Sequence, residues 1–206
     1  MPILYSYRRC PYAMRARMAL KYAGIQVELH EISLKAKPVK MLNASPKGTV
    51  PVMILCDGTV IEQSLEIMHW ALLQQDKAGW LKADSFITEQ LIFENDHSFK
   101  EALDHYKYAV RFPEKTVKDY RMQCEVFLEK LEKQLNQTAF LVSHRLTLAD
   151  MAIFPFIRQF ANVDIAWFNE APYPELNAWL KNLIESELFS NIMKKEPLYL
   201  EAVLNS

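Results

Sequence analysis

The chain has 206 residues, half of them hydrophobic, which is enough to bury a real core as one large domain or two small ones and excludes a disordered chain. Its 24 basic and 25 acidic residues leave a net charge of -1, so no global field draws in nucleic acid or an anionic membrane, and any anionic ligand has to be caught locally. The richest apolar run, Met151 to Ile157, is interrupted by Pro155 and falls well short of the ~18 residues that read as a membrane span.

The N-terminal stretch carries Arg8, Arg9, Arg15, Arg17 and Lys21 before its first acidic residue, Glu28, as a transit peptide would. It also reads as folded: Ile3 to Tyr7 has strand character, and Pro11 to Ala23 is a helix closed by Gly24. Gln26 to Ile32 is a second strand, and a weakly periodic link runs from Lys35 to Leu42. Pro51 to Cys56 and Thr59 to Glu62 flank Asp57-Gly58, a dipeptide suited to a tight hairpin turn because glycine accepts positive φ. Ser64 to Gln74 is a helix. This order, βαβ, a helix-like link and ββα, predicts an α/β domain over residues 1–75.

A linker is expected over 76–83, followed by an all-helical domain over 84–206. Ile92, Phe99, Leu103, Tyr106 and Val110 mark one face of a long helix, and Val117, Tyr120, Cys124, Leu128, Leu131 and Leu135 mark the next. Two further helices are expected over Thr147 to Asn162 and Tyr173 to Ser186. Thr147-Leu148-Ala149-Asp150 reads as a capping box with aspartate in the third position.

Three cysteines, Cys10, Cys56 and Cys124, form neither a disulfide framework nor a metal spacing, which fits a reducing compartment and predicts a cytoplasmic protein. Cys124 on its apolar stripe and Cys56 at a strand end read as packing residues. His97, His105 and His144 lack partners at metal spacing, and no Gly-rich phosphate loop occurs, so neither a metal nor a nucleotide is expected.

Cys10 differs, because it sits between the first strand and the first helix, where unpaired N–H groups and the positive dipole end favour thiolate. The run Cys10-Pro11-Tyr12-Ala13 resembles the active-site turn of glutaredoxins and of cysteine-type glutathione transferases, the omega class above all, and the chain looks like a bacterial member. Ala13 stands where a dithiol glutaredoxin has its second cysteine, so the resemblance implies monothiol chemistry. It continues through Leu34-Lys35-Ala36-Lys37-Pro38, Thr49-Val50-Pro51-Val52 and Gln63-Ser64, although omega proteins usually carry an acidic residue at position 63.

The resemblance implies a thioredoxin-like N-terminal domain, an all-helical C-terminal domain and a homodimer. It implies glutathione as co-substrate, held by Pro11, Tyr12, Leu34, Lys37, Val50, Pro51, Gln63 and Ser64. Val50, before a cis proline, would pair with the cysteinyl backbone, Gln63 and Ser64 would hold the γ-glutamyl carboxylate, and Lys37 would approach the glycyl carboxylate. Ser64 would also cap its helix. Tyr106, Tyr108, Arg158 and Phe160 lie on helices that face the second substrate in this family, with core packing as their bland reading.

The implied activity is thiol transfer through a mixed disulfide at Cys10, with dehydroascorbate reduction as a related reaction. Conjugation of glutathione to an electrophile, assisted by a hydroxyl of Tyr5, Ser6 or Tyr12, is the enzymatic alternative. A binding protein that kept the fold without the reaction is the other.

Overall fold

The computed structural model describes residues 1–200. It divides into two compact units, Met1–Lys77 together with Glu187–Ser206, and Ala78–Ser186. The first unit contains β1 (Ile3–Ser6), α1 (Pro11–Tyr22), β2 (Glu28–Glu31), α2 (Val39–Ala44), β3 (Val52–Ile54), β4 (Val60–Ile61) and α3 (Ser64–Gln74). The four strands form one sheet in the order β2-β1-β3-β4. β1 pairs with β2 in parallel, Leu4 opposite Leu29, and with β3 in antiparallel, Leu4 opposite Met53. β4 returns antiparallel to β3 with Ile54 opposite Val60.

Local chemistry explains the boundaries. Pro11 occupies the first turn of α1, where its missing N–H costs nothing. Gly24, at φ 70°, ends that helix, with Gly24 N–H donating to Lys21 O and Ile25 N–H to Leu20 O. This is the paired C-terminal motif that a left-handed glycine permits. α1 packs against α3, and its Ala13, Met14, Ala16, Met18 and Ala19 are all buried. At the hairpin the strands stop earlier than the apolar run implies: Gly58 N–H reaches Leu55 O, and Thr59 N–H reaches an Asp57 carboxylate oxygen. Cys56 therefore falls in the turn and is exposed, which corrects its reading as a packing residue.

The last described segment belongs to this unit. α10 (Glu187–Ile192) packs on α1, and beyond it Leu198 bridges Glu31 in parallel while Tyr199 N–H donates to Glu31 O at 2.7 Å. The Tyr199 ring stacks on His30 at 3.7 Å, and Tyr5 meets both edge-on.

The second unit is helical: α4 (Ser85–Glu94), a wide π-type turn over Asn95–Phe99, α5 (Lys100–Lys107), α6 (Val117–Leu135), α7 (Leu148–Ala161), α8 (Ile165–Glu170) and α9 (Pro174–Glu185). Ile92, Phe99, Leu103 and Tyr106 are buried as their spacing predicts, but Val110 is 99% exposed. α5 ends at Lys107, so Val110 is off the stripe. Val117, the first residue of α6, likewise faces solvent, while Tyr120, Cys124, Leu128, Leu131 and Leu135 are buried. Burial, then the neighbouring Glu125 charge, pushes the Cys124 thiol up to about 12, which makes it an inert packing group.

Asp150 is fully buried in this unit. Its Oδ2 accepts from the Thr147 N–H at 2.9 Å and the Thr147 hydroxyl at 2.7 Å, and its Oδ1 accepts from Leu141 N–H and Trp179 Nε1, both at 2.9 Å. One carboxylate thus fixes the start of α7, the loop before it, and α9. A second box at Thr116 and Asp119 caps α6 from the surface. Among the described residues no helix is long and apolar enough to cross a membrane.

Candidate functional site

The pairing directions bring four loops to one end of the sheet. β1 ends there before Cys10, and β2, parallel to it, ends there before Leu34 and Lys37. β3, antiparallel to β1, begins there after Val50-Pro51. β4, antiparallel to β3, ends there before Gln63 and Ser64. Segments far apart in sequence thereby share one rim.

Cys10 is the N-cap of α1, in extended conformation and only partly buried. Its own N–H donates to Tyr7 O at 2.9 Å, and its carbonyl receives Met14 N–H, so the backbone on both sides is held. The thiol lies 3.7 Å from Val50 O. Cys10 and Val50 also pack with Tyr5, Ala13, Ile32 and Val52 in one apolar cluster, which gives the sulfur a dry inner side and a solvent-facing outer one. Ala13 is buried one turn away and contributes no second thiol. The Val50-Pro51 peptide is cis.

Gln63 is the exposed N-cap of α3 and makes no side-chain cap. Ser64 is 6% exposed and is the first helical residue, not the cap, so it stands in the turn whose backbone N–H groups have no partner within the helix. Pro11 is buried, and Tyr12 is half-buried with the Arg15 guanidinium 5.1 Å from its ring centre. Lys37 is half-buried beside Gly48, where a Cβ would lie 3.2 Å from Lys37 Nζ. Gly48 has φ 62°, a further constraint against a side chain there. Leu34 is 49% exposed. Of the hydroxyls offered for conjugation, Tyr5 and Ser6 are buried at 1% and 0% exposure.

Two supporting groups escaped the sequence reading. Glu62 accepts from the Ser45 hydroxyl and pairs with Lys47 at 3.3 Å. These two partners, Ser45 first, hold its carboxyl below the usual range and place a fixed charge next to Gln63. Arg8 gives its backbone N–H to Glu31 Oε1 at 2.7 Å and its guanidinium to Met193 O at 3.2 Å, a scaffold role. Neither pairing leaves a signal in local sequence, since both join distant segments. In the helical unit Tyr106 and Phe160 are buried against each other, Tyr108 is 38% exposed, and Arg158 is half-buried. Among the described residues no three metal-ligating side chains converge.

The profile described as glutathione S-transferase, N-terminal domain, matches residues 4–79, and that described as glutathione S-transferase, C-terminal domain, matches residues 90–187. Glutathione S-transferase omega-1 of Rattus norvegicus is 25% identical over 95% of this chain and 77% of its own length. Elongation factor 1-gamma of Drosophila melanogaster is 21% identical over 98% of this chain, which spans about half (48%) of that protein. The crystal structure of glutathione transferase URE2P6 from Phanerochaete chrysosporium, in complex with oxidized glutathione, superposes with a TM-score of 0.79 at 20% identity, covering 93% of this chain and 94% of that one. A sheet of four strands with its helices, followed by a helical domain, is the fold these proteins share, and the chain belongs to the glutathione S-transferase superfamily.

Proposed function

We propose that the protein is a glutathione-dependent thiol transferase acting through a mixed disulfide at Cys10. The observation that carries this reading is the placement of a partly exposed thiol at the N-cap of α1, on the same sheet end as Val50-Pro51 and Ser64. Cys10 thiolate attacks the glutathionyl sulfur of a glutathionylated substrate, forming a Cys10–glutathione disulfide and releasing the substrate thiolate. A second glutathione thiolate attacks that glutathionyl sulfur, yielding glutathione disulfide and returning Cys10 as thiolate. Dehydroascorbate reduction would draw on the same two thiols.

In this reading Val50 pairs with the cysteinyl backbone of glutathione, and Ser64 with the open first turn of α3 takes the γ-glutamyl carboxylate. Gln63 borders that carboxylate, Lys37 faces the glycyl end, and Pro11, Tyr12, Leu34 and Pro51 line the ligand. The omega-1 relative supports thiol transfer over conjugation, as does the burial of Tyr5 and Ser6, which leaves Tyr12 as the accessible hydroxyl. A purely binding role, as the elongation-factor relative suggests, leaves the partly exposed Cys10 without a purpose.

In this reading the protein works as a cytoplasmic homodimer, and exposed apolar side chains of the helical unit are where we place the pairing. Phe93 on α4 and Val126 on α6 are 64% and 66% exposed, beside the Lys130–Glu94 ion pair that joins the two helices.

The deciding experiment incubates the protein with glutathione disulfide and maps adducts by mass spectrometry. A glutathionyl adduct on Cys10, with disulfide reduction lost in Cys10→Ser while glutathione binding persists, is the expected result. Disulfide reduction that survives Cys10→Ser overturns the assignment.

A further inference from the structure

Within the first unit, a cavity of about 320 Å3 opens between α1, β2 and the segment that follows α10, and neither Cys10, Val50 nor Ser64 lines it. Its walls include the apolar side chains Leu20, Val27, Leu29 and Ile192. Its charged lining is Arg17, Lys21 and Lys194, against one carboxylate, Glu196. Three cations facing one anion leave a positive excess in a chain whose net charge is -1.

Arg17 is the unusual member. It is 6% exposed, yet its Nη1 is buried without a hydrogen-bond partner among the described residues. A buried guanidinium nitrogen left unpaired is costly, and proteins ordinarily pair it. Glu31 and Glu196 act on it through charge, but neither takes a hydrogen bond from Nη1. Glu31 spends Oε1 on the Arg8 backbone N–H and leaves Oε2 without a hydrogen-bond partner among the described residues. Burial lowers the Arg17 pKa, and Arg8 adds to the effect, while Glu31 and Glu196 oppose it. Among the described residues no carboxylate accepts a hydrogen bond from Arg17 Nη1.

We propose that this cavity binds a small amphipathic monocarboxylate, its carboxylate on Arg17 with Lys21 and Lys194 in support and its alkyl chain on the apolar wall. A guanidinium offers a planar fork that matches a carboxylate, whereas the lysines act as point charges. A volume near the lower end of ligand pockets suits one short alkyl chain and excludes a bulky ligand. Glu196 is the repulsive element that sets the affinity against which such a ligand binds.

The test is calorimetric titration of octanoate into the full chain saturated with glutathione, with octan-1-ol and octylamine as controls. Octanoate is expected to bind one to one, with both controls at least about tenfold weaker. Because Arg17 is buried, the deciding variants are at exposed positions, with folding checked by circular dichroism. Lys21→Met combined with Lys194→Met should weaken octanoate by about tenfold or more, and Glu196→Gln should tighten it. Octan-1-ol binding as tightly as octanoate, no binding of octanoate, or an affinity unmoved by both the double variant and Glu196→Gln overturns the proposal.

Discussion

The Cys10 thiol lies 3.7 Å from the carbonyl oxygen of Val50, so the nucleophile of the proposed reaction rests against the backbone group that its ligand would use. A hydrogen bond given by the neutral thiol disfavours ionisation, whereas the N-terminus of α1 favours it. If glutathione takes over the Val50 backbone, the first effect vanishes and the second remains. The prediction is that S-methylglutathione, which cannot form a disulfide, shifts the pH inflection of Cys10 alkylation downward. Unliganded Cys10 should already titrate below the ~8.5 of a free cysteine. An inflection that stays at ~8.5 in both states removes Cys10 from the chemistry.

Ser64 should contribute to affinity without touching the sulfur. A hydrogen bond to an ionised carboxylate is worth roughly 1.5–3 kcal/mol, so Ser64→Ala is expected to weaken glutathione binding about tenfold or more by calorimetry. The alkylation rate of unliganded Cys10 should change little. Unaltered affinity would take Ser64 out of the ligand site.

Asp150 should matter to the fold and not to the reaction. Removing its carboxylate leaves four donors without their acceptor in a fully buried place. Asp150→Ala should therefore cost more than about 3 kcal/mol and lower Tm by several degrees, since each stranded buried donor costs ~1–3 kcal/mol. A variant that melts like the parent, or is folded and glutathione-bound but inactive, contradicts this.

The two capping carboxylates should respond to pH in opposite directions. Asp119, at the surface, is held below the ordinary ~3.9 by hydrogen bonds from the Thr116 side chain and backbone. A folded-state value below the unfolded one gives stability that is present above the unfolded value and lost as pH falls through the folded one. For Asp150, burial raises the carboxyl against the opposing donors, Leu141 first and then Thr147 and Trp179. The folded state then holds the proton more tightly, so this contribution is present below the unfolded value and declines as pH rises through the folded one. Carboxyl carbon shifts followed by NMR should place Asp119 below and Asp150 above ~3.9; the reverse order would refute the argument.

The exposed pair Phe93 and Val126 supplies a test of the dimer. Phe93→Glu with Val126→Glu should convert a species of twice the 24.0 kDa chain mass into monomer by sedimentation, with the helical content retained. A monomeric parent, or a dimer indifferent to both substitutions, would move the interface elsewhere or abolish it.

The features legible in the sequence are those written into neighbouring residues. Pro11 and Gly24 bracket α1, Asp57-Gly58 marks the hairpin, and Thr147 with Asp150 marks the start of α7. The cis peptide at Val50-Pro51 was expected only through the family resemblance. What stayed hidden is non-local or unpunctuated. Val110 continues the apolar spacing, and neither glycine nor proline lies between Lys107 and it to show that α5 has ended. Cys56 looked like strand because the turn begins at Leu55, before the Asp57-Gly58 signal. The Leu141 and Trp179 partners of Asp150, and the Ser45–Glu62–Lys47 group beside the proposed ligand rim, join residues whose spacing carries no period.

The pairing of Leu198 and Tyr199 with Glu31 has a consequence for how the protein is made. On the ribosome, the strands and helices up to Lys77 precede the whole second unit, and only after it comes the segment that meets the outer edge of β2 at Glu31 and packs on α1. While the second unit is being translated that edge is bare, and a bare edge is a template for pairing with other chains. Chains stalled within the second unit are therefore expected to pair with other chains more readily than chains extended past Tyr199.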